Sequence, residues 1–343
     1  MSWPLIGIFL LVAIAALKIG STFVLPIVVS VLFTFLLGPP VRWLKKRRIP
    51  EAIGAGVLVF GTVILLCGAL YFLADPASEW IERAPKTMQQ VERKMKALVR
   101  PLASIQATAN RVDEATTPAT HGDDTQKVEL AKPGLMSRLS GTTATFLGSA
   151  LTVVFLTYFL LAAGTLFRQK LAEVLPGRAE RAQVVEALTE IEVQMSRYLV
   201  LTTIINAVVG LLTWGALALL GMPNAALWGA VAGVLNYIPY VGALATLLLI
   251  GVAGFVSFDQ PKTALLAAGA FFVINMFESN LATPMILGRR LPLNAVALFL
   301  GLLFWGWIWG ITGAVLAVPL TVMVKIICDH VEPLEPVALF LDS

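Results

Sequence analysis

Charge is scarce in this sequence. Only 13% of its 343 residues are Asp, Glu, Lys or Arg, where a soluble domain carries about a quarter. There are two cysteines, Cys67 and Cys328, far apart and each in or beside an apolar stretch, so neither a disulfide framework nor a thiolate metal site is expected. The two histidines, His121 and His330, have no second ligand nearby in sequence. No Walker motif, HExxH or GxSxG is present, which removes the parts of an ATP-driven pump, a zinc protease or a serine hydrolase. No cofactor or metal is expected, nor is nucleic acid as a partner, because the net charge is only +4 and the charges are bunched between apolar runs. What fills the chain instead is hydrophobic residues, at 58%. A soluble core of this size could not hide so much apolar surface, and lipid is the solvent these runs require.

A spanning helix needs about 20 apolar residues. Trp3 to Leu17 and Thr22 to Gly38 are candidates, the latter stopped by Pro39-Pro40. Ile53 to Ala74, Thr142 to Gly164 and Leu199 to Leu220 follow. Ala13-Ile14-Ala15 resembles a signal-peptidase site, but no Lys or Arg precedes the apolar run and a second run follows at once, so a retained first span is expected. Basic residues in short loops orient the chain. Arg42, Lys45, Lys46, Arg47 and Arg48 mark one cytoplasmic loop, and Arg168 to Arg197 marks another. Arg289-Arg290 and Lys325 should also lie inside, and both termini are expected in the cytoplasm.

That orientation leaves two stretches too short for what they must do. Ala225 to Ser257 starts and ends outside, Leu293 to Val324 starts and ends inside, and each holds just over thirty residues. Two full spans need about 40. Each stretch is therefore expected to form a re-entrant or short-armed hairpin, with tips at Asn236 to Gly242 and at Trp305 to Gly313. Irregular backbone at membrane depth survives only inside protein or beside a wet cavity, so the tips point at a path. The two units also resemble each other. Asn206 lies 17 residues before Pro223, and Asn275 lies 17 before Pro292; Asn224 precedes Gly242 by 18, and Asn294 precedes Gly313 by 19. One unit starts inside and the other outside, the arrangement of an inverted-repeat transporter.

Outside the spans, apolar or small residues recur at helical spacing from Ile81 to Val112, between charges and with Pro85 and Pro101 starting or kinking the helix. An extracytoplasmic amphipathic helix that packs between subunits or lies on the membrane is expected there. Thr116 to Lys132 reads as a loop. Ala179 to Tyr198 reads as a cytoplasmic amphipathic helix running into the fifth span. The resulting division is a three-span region over 1–74, an extracytoplasmic segment over 75–141, a fourth span with its cytoplasmic helix over 142–198, a transport core over 199–327 and a cytoplasmic tail over 328–343. The fold class is all-α and polytopic, with five to six spanning helices plus the two hairpins.

Polar groups at membrane depth are functional suspects. Glu278 is the most deeply set acid, and on an α-helix it shares a face with Asn275, Ser279 and Ala282. Asn280 sits beside it. Asn236, Tyr237, Pro239, Tyr240 and Gly242 form the first tip; Asn206, Asn294 and Gly313 occupy matching positions of the repeat. Such groups can bond a polar solute or hold a proton or sodium ion.

Three stretches resemble a known family: Leu37 to Leu44 with the basic run after it, Asn236-Tyr237-Ile238-Pro239-Tyr240-Val241-Gly242, and Glu278 to Pro319 including Gly288-Arg289-Arg290-Leu291 and Gly313-Ala314-Val315-Leu316-Ala317-Val318-Pro319. The family is that of the autoinducer-2 exporters, also called permeases. The resemblance implies an inner-membrane location and homo-oligomeric, specifically pentameric, assembly. It also implies export of autoinducer-2, or sodium- or lithium-proton antiport. Ala243 stands where many members carry proline, and Asn294 where histidine is common. The leading expectation is a secondary transporter or facilitator of a small polar solute such as an autoinducer-2-like signal. The alternatives are a cation-proton antiporter centred on Glu278, and a membrane scaffold or intramembrane enzyme.

Overall fold

A computed structural model of the chain describes residues 3–110, 135–164, 170, 178–287, 294–331 and 334–342. Every regular element among them is helical. In chain order they are α1 (Trp3–Ile19), α2 (Ser21–Lys46), α3 (Glu51–Asn110), α4 (Leu135–Ala163), α5 (Arg178–Leu219), α6 (Ala225–Leu235), α7 (Val241–Ser257) and α8 (Pro261–Phe277). A π-helical turn (Glu278–Ala282) and α9 (Thr283–Leu287) continue α8, and α10 (Ala295–Asp329) and α11 (Glu335–Leu341) complete the chain. Among the described residues five helices, the broken α10 included, are by length and composition long and apolar enough to cross a membrane, and their exposed flanks are apolar: Phe60, Ile64, Leu65, Leu70 and Phe72 of α3 are all exposed. The protein is an all-α, polytopic membrane protein.

Two expected boundaries move. Pro39-Pro40 does not end the second span; α2 runs through both prolines to Lys46. A proline inside a helix orphans the carbonyl four residues earlier. For Pro39 that carbonyl is Phe35, and the Ser196 hydroxyl on α5 donates to it at 2.7 Å. The helix persists because a distant hydroxyl replaces the missing donor. The second change is in α3, where the third span and the segment expected to begin afresh at Ile81 are one helix of 60 residues. At 1.5 Å per residue it is about 90 Å long, three times the apolar layer. The side chains of 83–110 lie outside the described residues, as do Val112 and the expected loop from Thr116 to Lys132. So do Arg289, Arg290 and Leu293. The amphipathic stretch from Ala179 and the fifth span form the single helix α5, as expected.

Both short stretches turn back on themselves. α6 and α7 are joined by the tip Asn236 to Tyr240, where Tyr240 takes φ 61° and ψ −54°, a region a residue with a side chain seldom occupies. The second hairpin is α10, whose 35 residues break at Trp309 and at Gly310, the latter with φ 62°. Its two arms pack face to face. Leu302 and Ala317 share an apolar cluster, and a Cβ on Gly301 would run into the Thr321 hydroxyl. α8, the π turn and α9 lie between the two hairpins in the chain.

The tips meet in the interior. Ile238 of the first tip is buried against Leu302, Trp305 and Ala317 of the second hairpin. The second tip is tied to α1, where Trp309 Nε1 donates to the Leu17 carbonyl at 3.0 Å and the Lys18 ammonium sits 3.9 Å above the Trp307 ring. α6 lies directly on α5: a Cβ on Gly233 would come within 2.9 Å of the Asn206 carbonyl, and one on Gly229 within 2.7 Å of the Gly210 carbonyl. Helices in lipid gain from such close approach of small residues.

At each tip one glycine has the same task. A Cβ on Gly242 would fall on the carbonyl of Leu235, the last residue of α6, and a Cβ on Gly313 on the carbonyl of Trp305. Gly61, by contrast, has nothing within 4 Å of where its Cβ would be. Gly242→Ala and Gly313→Ala are therefore each expected to cost about 1–3 kcal/mol by overpacking, seen as a lowered thermal midpoint in detergent, while Gly61→Ala leaves the midpoint unchanged or raises it. Equal midpoints for all three would contradict the tight turns.

Candidate functional site

The first tip brings three asparagines from three elements into one hydrogen-bonded row. Asn236 ends α6, its backbone N–H still bonded into that helix. Its side-chain Nδ2 donates to Asn206 Oδ1 of α5 at 3.0 Å. Its Oδ1 accepts from Asn275 Nδ2 of α8 at 3.4 Å. Asn206 is 3% exposed. The neighbouring Tyr237 hydroxyl donates to Thr203 Oγ1 at 2.9 Å. A lone amide in an apolar interior is costly, and pairing amides with one another offsets that cost. Pro239 and Tyr240 complete the turn, and Tyr240 is exposed.

Glu278 begins the π turn, one helical turn beyond Asn275. A π turn widens the ring by one residue, so the partner of position i moves from i+4 to i+5. The expected face of Asn275, Glu278, Ser279 and Ala282 assumes an unbroken α-helix, and the structure corrects it: the partner is Thr283, not Ala282. The backbone N–H of Thr283 bonds to the Glu278 carbonyl, and its hydroxyl donates to Glu278 Oε1 at 2.5 Å. Ser279 Oγ donates to Glu278 Oε2 at 3.0 Å. The carboxylate is half-buried and answered on both oxygens by hydroxyls, with no cation bonded to it among the described residues. Asn280 Nδ2 turns back to the Met276 carbonyl at 2.8 Å. The π turn packs against α5, the helix that also carries Asn206.

Two of the sequence candidates stand apart from this group. Gly313 shapes the second tip. Asn294 caps α10, accepting from Ala297 N at 2.6 Å, and its Nδ2 donates to the carbonyls of Phe340 and Asp342 at 2.9 and 3.0 Å. It holds the C-terminal helix against the base of the second hairpin. Lys325, which sequence reasoning used only as an orientation marker, is buried on the same side and pairs with Asp329 at 2.9 Å, with Asp342 3.9 Å away. Its signal was an acid one turn on, at i+4 in an apolar helix. Thr203 and Thr283 were missed because a threonine in an apolar run looks ordinary. No group of three His, Cys, Asp or Glu side chains among the described residues could hold a metal ion.

The sequence profile of the AI-2E transporter family matches residues 8–332. This chain belongs to the AI-2E transporter family. The AI-2 transport protein TqsA of Escherichia coli K12 is 26% identical over 336 residues, 97% of this chain and 93% of that one. YhhT of the same strain, described as a putative transport protein, is 28% identical over 321 residues, 92% of this chain and 87% of that one. YueF of Bacillus subtilis, likewise described, is 24% identical and covers 89% of this chain. Membership makes the protein a multi-pass transporter of a bacterial membrane, and the asparagine row at the first tip is its leading polar feature inside the bundle.

The row is uneven, and its effects should be too. Asn236→Ala removes both bonds and leaves Asn206 without a partner for its Oδ1. It is expected to cost about 1–3 kcal/mol of stability. Asn275→Ala removes only the longer bond and should cost less than about 1 kcal/mol. Thermal unfolding of the two variants in one detergent checks the order; a larger loss for Asn275→Ala would contradict the geometry.

Proposed function

We propose that this protein moves a small polar solute, an autoinducer-2-like signal in particular, across the bacterial inner membrane as a secondary transporter or facilitator. The observation that carries the reading is the row Asn206–Asn236–Asn275 at the broken tip of the first hairpin. Uncharged amides at membrane depth can exchange their mutual bonds for bonds to a hydroxyl or carbonyl of a passing solute at little net cost. Discontinuous helices at the contact of two repeat units are where transporters bind their cargo. In support, both hairpins close over a carbonyl with a glycine at the matching place, and the tips touch through Ile238. On this reading α5 with the first hairpin and α8–α9 with the second form two inverted units over 199–327. Both termini face the cytoplasm. The apolar exposed flank and long projection of α3 serve assembly into a homo-oligomer, a pentamer by the family's precedent. The similarity to a protein named as an AI-2 transporter makes autoinducer-2 the first solute to test.

A second reading rests on Glu278. A carboxylate whose two oxygens are met by Ser279 and Thr283 hydroxyls inside a π turn has the ligand types a sodium ion or proton takes, and π turns recur at functional sites. Coupling of solute movement to a proton or sodium gradient would act there.

Proteoliposomes separate the readings. Purified protein is expected to carry autoinducer-2 across the bilayer, and Asn236→Ala to lose most of that flux. Glu278→Gln keeps size and hydrogen bonding but removes the charge. It should assemble normally while flux loses its response to an imposed proton or sodium gradient. Normal flux with the normal pH dependence in Glu278→Gln would make that residue structural and remove the antiport reading.

A further inference from the structure

Four buried side-chain polar atoms have no hydrogen-bond partner among the described residues: Asn206 Nδ2, Thr213 Oγ1, Trp228 Nε1 and Trp80 Nε1. They are not scattered. Thr213 lies seven residues above Asn206 on α5, two helical turns and so the same face, about 10 Å along the axis. That face packs on α6, which carries Trp228. Trp228 in turn meets Trp80 of α3 edge to face, with ring centroids 5.0 Å apart. Thr213 is 0% exposed, Asn206 3% and Trp228 7%. An orphaned buried donor costs about 1–3 kcal/mol, and native interiors hold few of them. Four in one column, from the tip of the first hairpin to the loop end of α5, call for a shared cause.

We propose that this column is the outer half of the solute path. Asn206, Thr213, Trp228 and Trp80 hand an uncharged, oxygen-rich solute between the first tip and the outside. The inference rests on the transport reading above and names the chemical class of its cargo. All four groups can donate, so the complementary ligand offers acceptor oxygens, as in hydroxyls and carbonyls. None is a cation, so an anion gains no ion pair. At the mouth Glu79, next to Trp80, accepts from Asn224 Nδ2 at 3.4 Å. Unpaired donors held in a packed column suit a path that is closed in this conformation and opens by parting α5 from α6. Trp80 and Trp228 then act as the outer gate. Indoles at a membrane boundary ordinarily turn N–H toward water or headgroups; these two bury it.

The test uses the full chain with Cys67 and Cys328 replaced by serine, in membrane vesicles and in proteoliposomes. Thr213→Cys is expected to react with a small, polar, impermeant methanethiosulfonate added from outside, and autoinducer-2 should slow the reaction. Ile250→Cys, equally buried in the apolar core beside it, should not react. Trp228→Cys repeats the measurement if Thr213→Cys assembles poorly. In parallel, Trp228→Phe keeps the ring and removes the donor. Its half-saturation concentration for autoinducer-2 is expected to rise roughly three- to tenfold, with a thermal midpoint no lower than that of the parent. If neither cysteine reacts, the column is packed core and the inference falls, whatever the flux. Reaction with an unchanged half-saturation concentration makes it a water-filled space and overturns solute binding there. Reaction without any autoinducer-2 flux in the parent protein upholds the path and instead removes autoinducer-2 as the cargo of the proposed function.

Discussion

A chain that reverses direction inside lipid must answer every backbone polar group without help from water. This protein does so twice, and in the same manner. The second arm of each hairpin comes down so closely on the end of the first that only a glycine fits, at Gly242 over the Leu235 carbonyl and at Gly313 over that of Trp305. In the first hairpin the reversal is closed by backbone bonds from Ile238 to Leu235 at 2.9 Å and from Gly242 to Ile238 at 2.9 Å. These turns fix how deep the tips reach, and their depth decides what they meet: Asn206 and Asn275 for one, α1 and the first tip for the other. Asn236 could not bridge two helices if its own helix ended a turn earlier.

The same constraint explains the polar groups elsewhere in the bundle. Ser196 replaces the donor that Pro39 lacks. Buried Ser30 returns its hydroxyl to the Pro26 carbonyl at 2.6 Å. Lys325, whose charge could not be left alone in an apolar interior, has Asp329 one turn on and Asp342 from the tail. With Asn294 holding the backbone of 340–342, the C-terminal helix fastens the two ends of the second hairpin together. At the base of the first hairpin Asn224 instead donates to Glu79 of α3 at 3.4 Å. The arms of that hairpin are held by α5 and α8, and it carries the asparagine row. One hairpin is built as an anchored wall and the other as the surface that bears polar groups.

The hairpins were legible in the sequence because counting is enough: just over thirty residues between loops expected on one side of the membrane cannot cross twice at full length. Polar residues in apolar runs were also legible one by one, since Asn206, Asn236, Asn275 and Glu278 stand out wherever they fall. Their partners were not. Asn236 reaches Asn206 across 30 residues and Asn275 across 39, and nothing local encodes that pairing. The helix through Pro39-Pro40 was illegible for the same reason, because its missing donor is supplied from 161 residues away. Glu278 failed differently. Helical periodicity assumes 3.6 residues per turn, and a single π turn shifts every later residue on the face, so Thr283 replaced Ala282. The orphaned donors of α5, α6 and α3 lay beyond any sequence argument, since a missing partner becomes visible only once the neighbours are placed.

All of this depends on the hairpins entering from opposite faces of the membrane. That is measured most directly with single cysteines at Asp259 and Arg290, in a chain whose own two cysteines are replaced, labelled by an impermeant maleimide in sealed vesicles of known orientation. In vesicles whose outer surface is the extracytoplasmic one, added reagent is expected to reach only the cysteine at 259, and the one at 290 to react only after the vesicles are opened. Labelling of both from the same side would contradict the inverted arrangement, and with it the meeting of the two tips as a transport path.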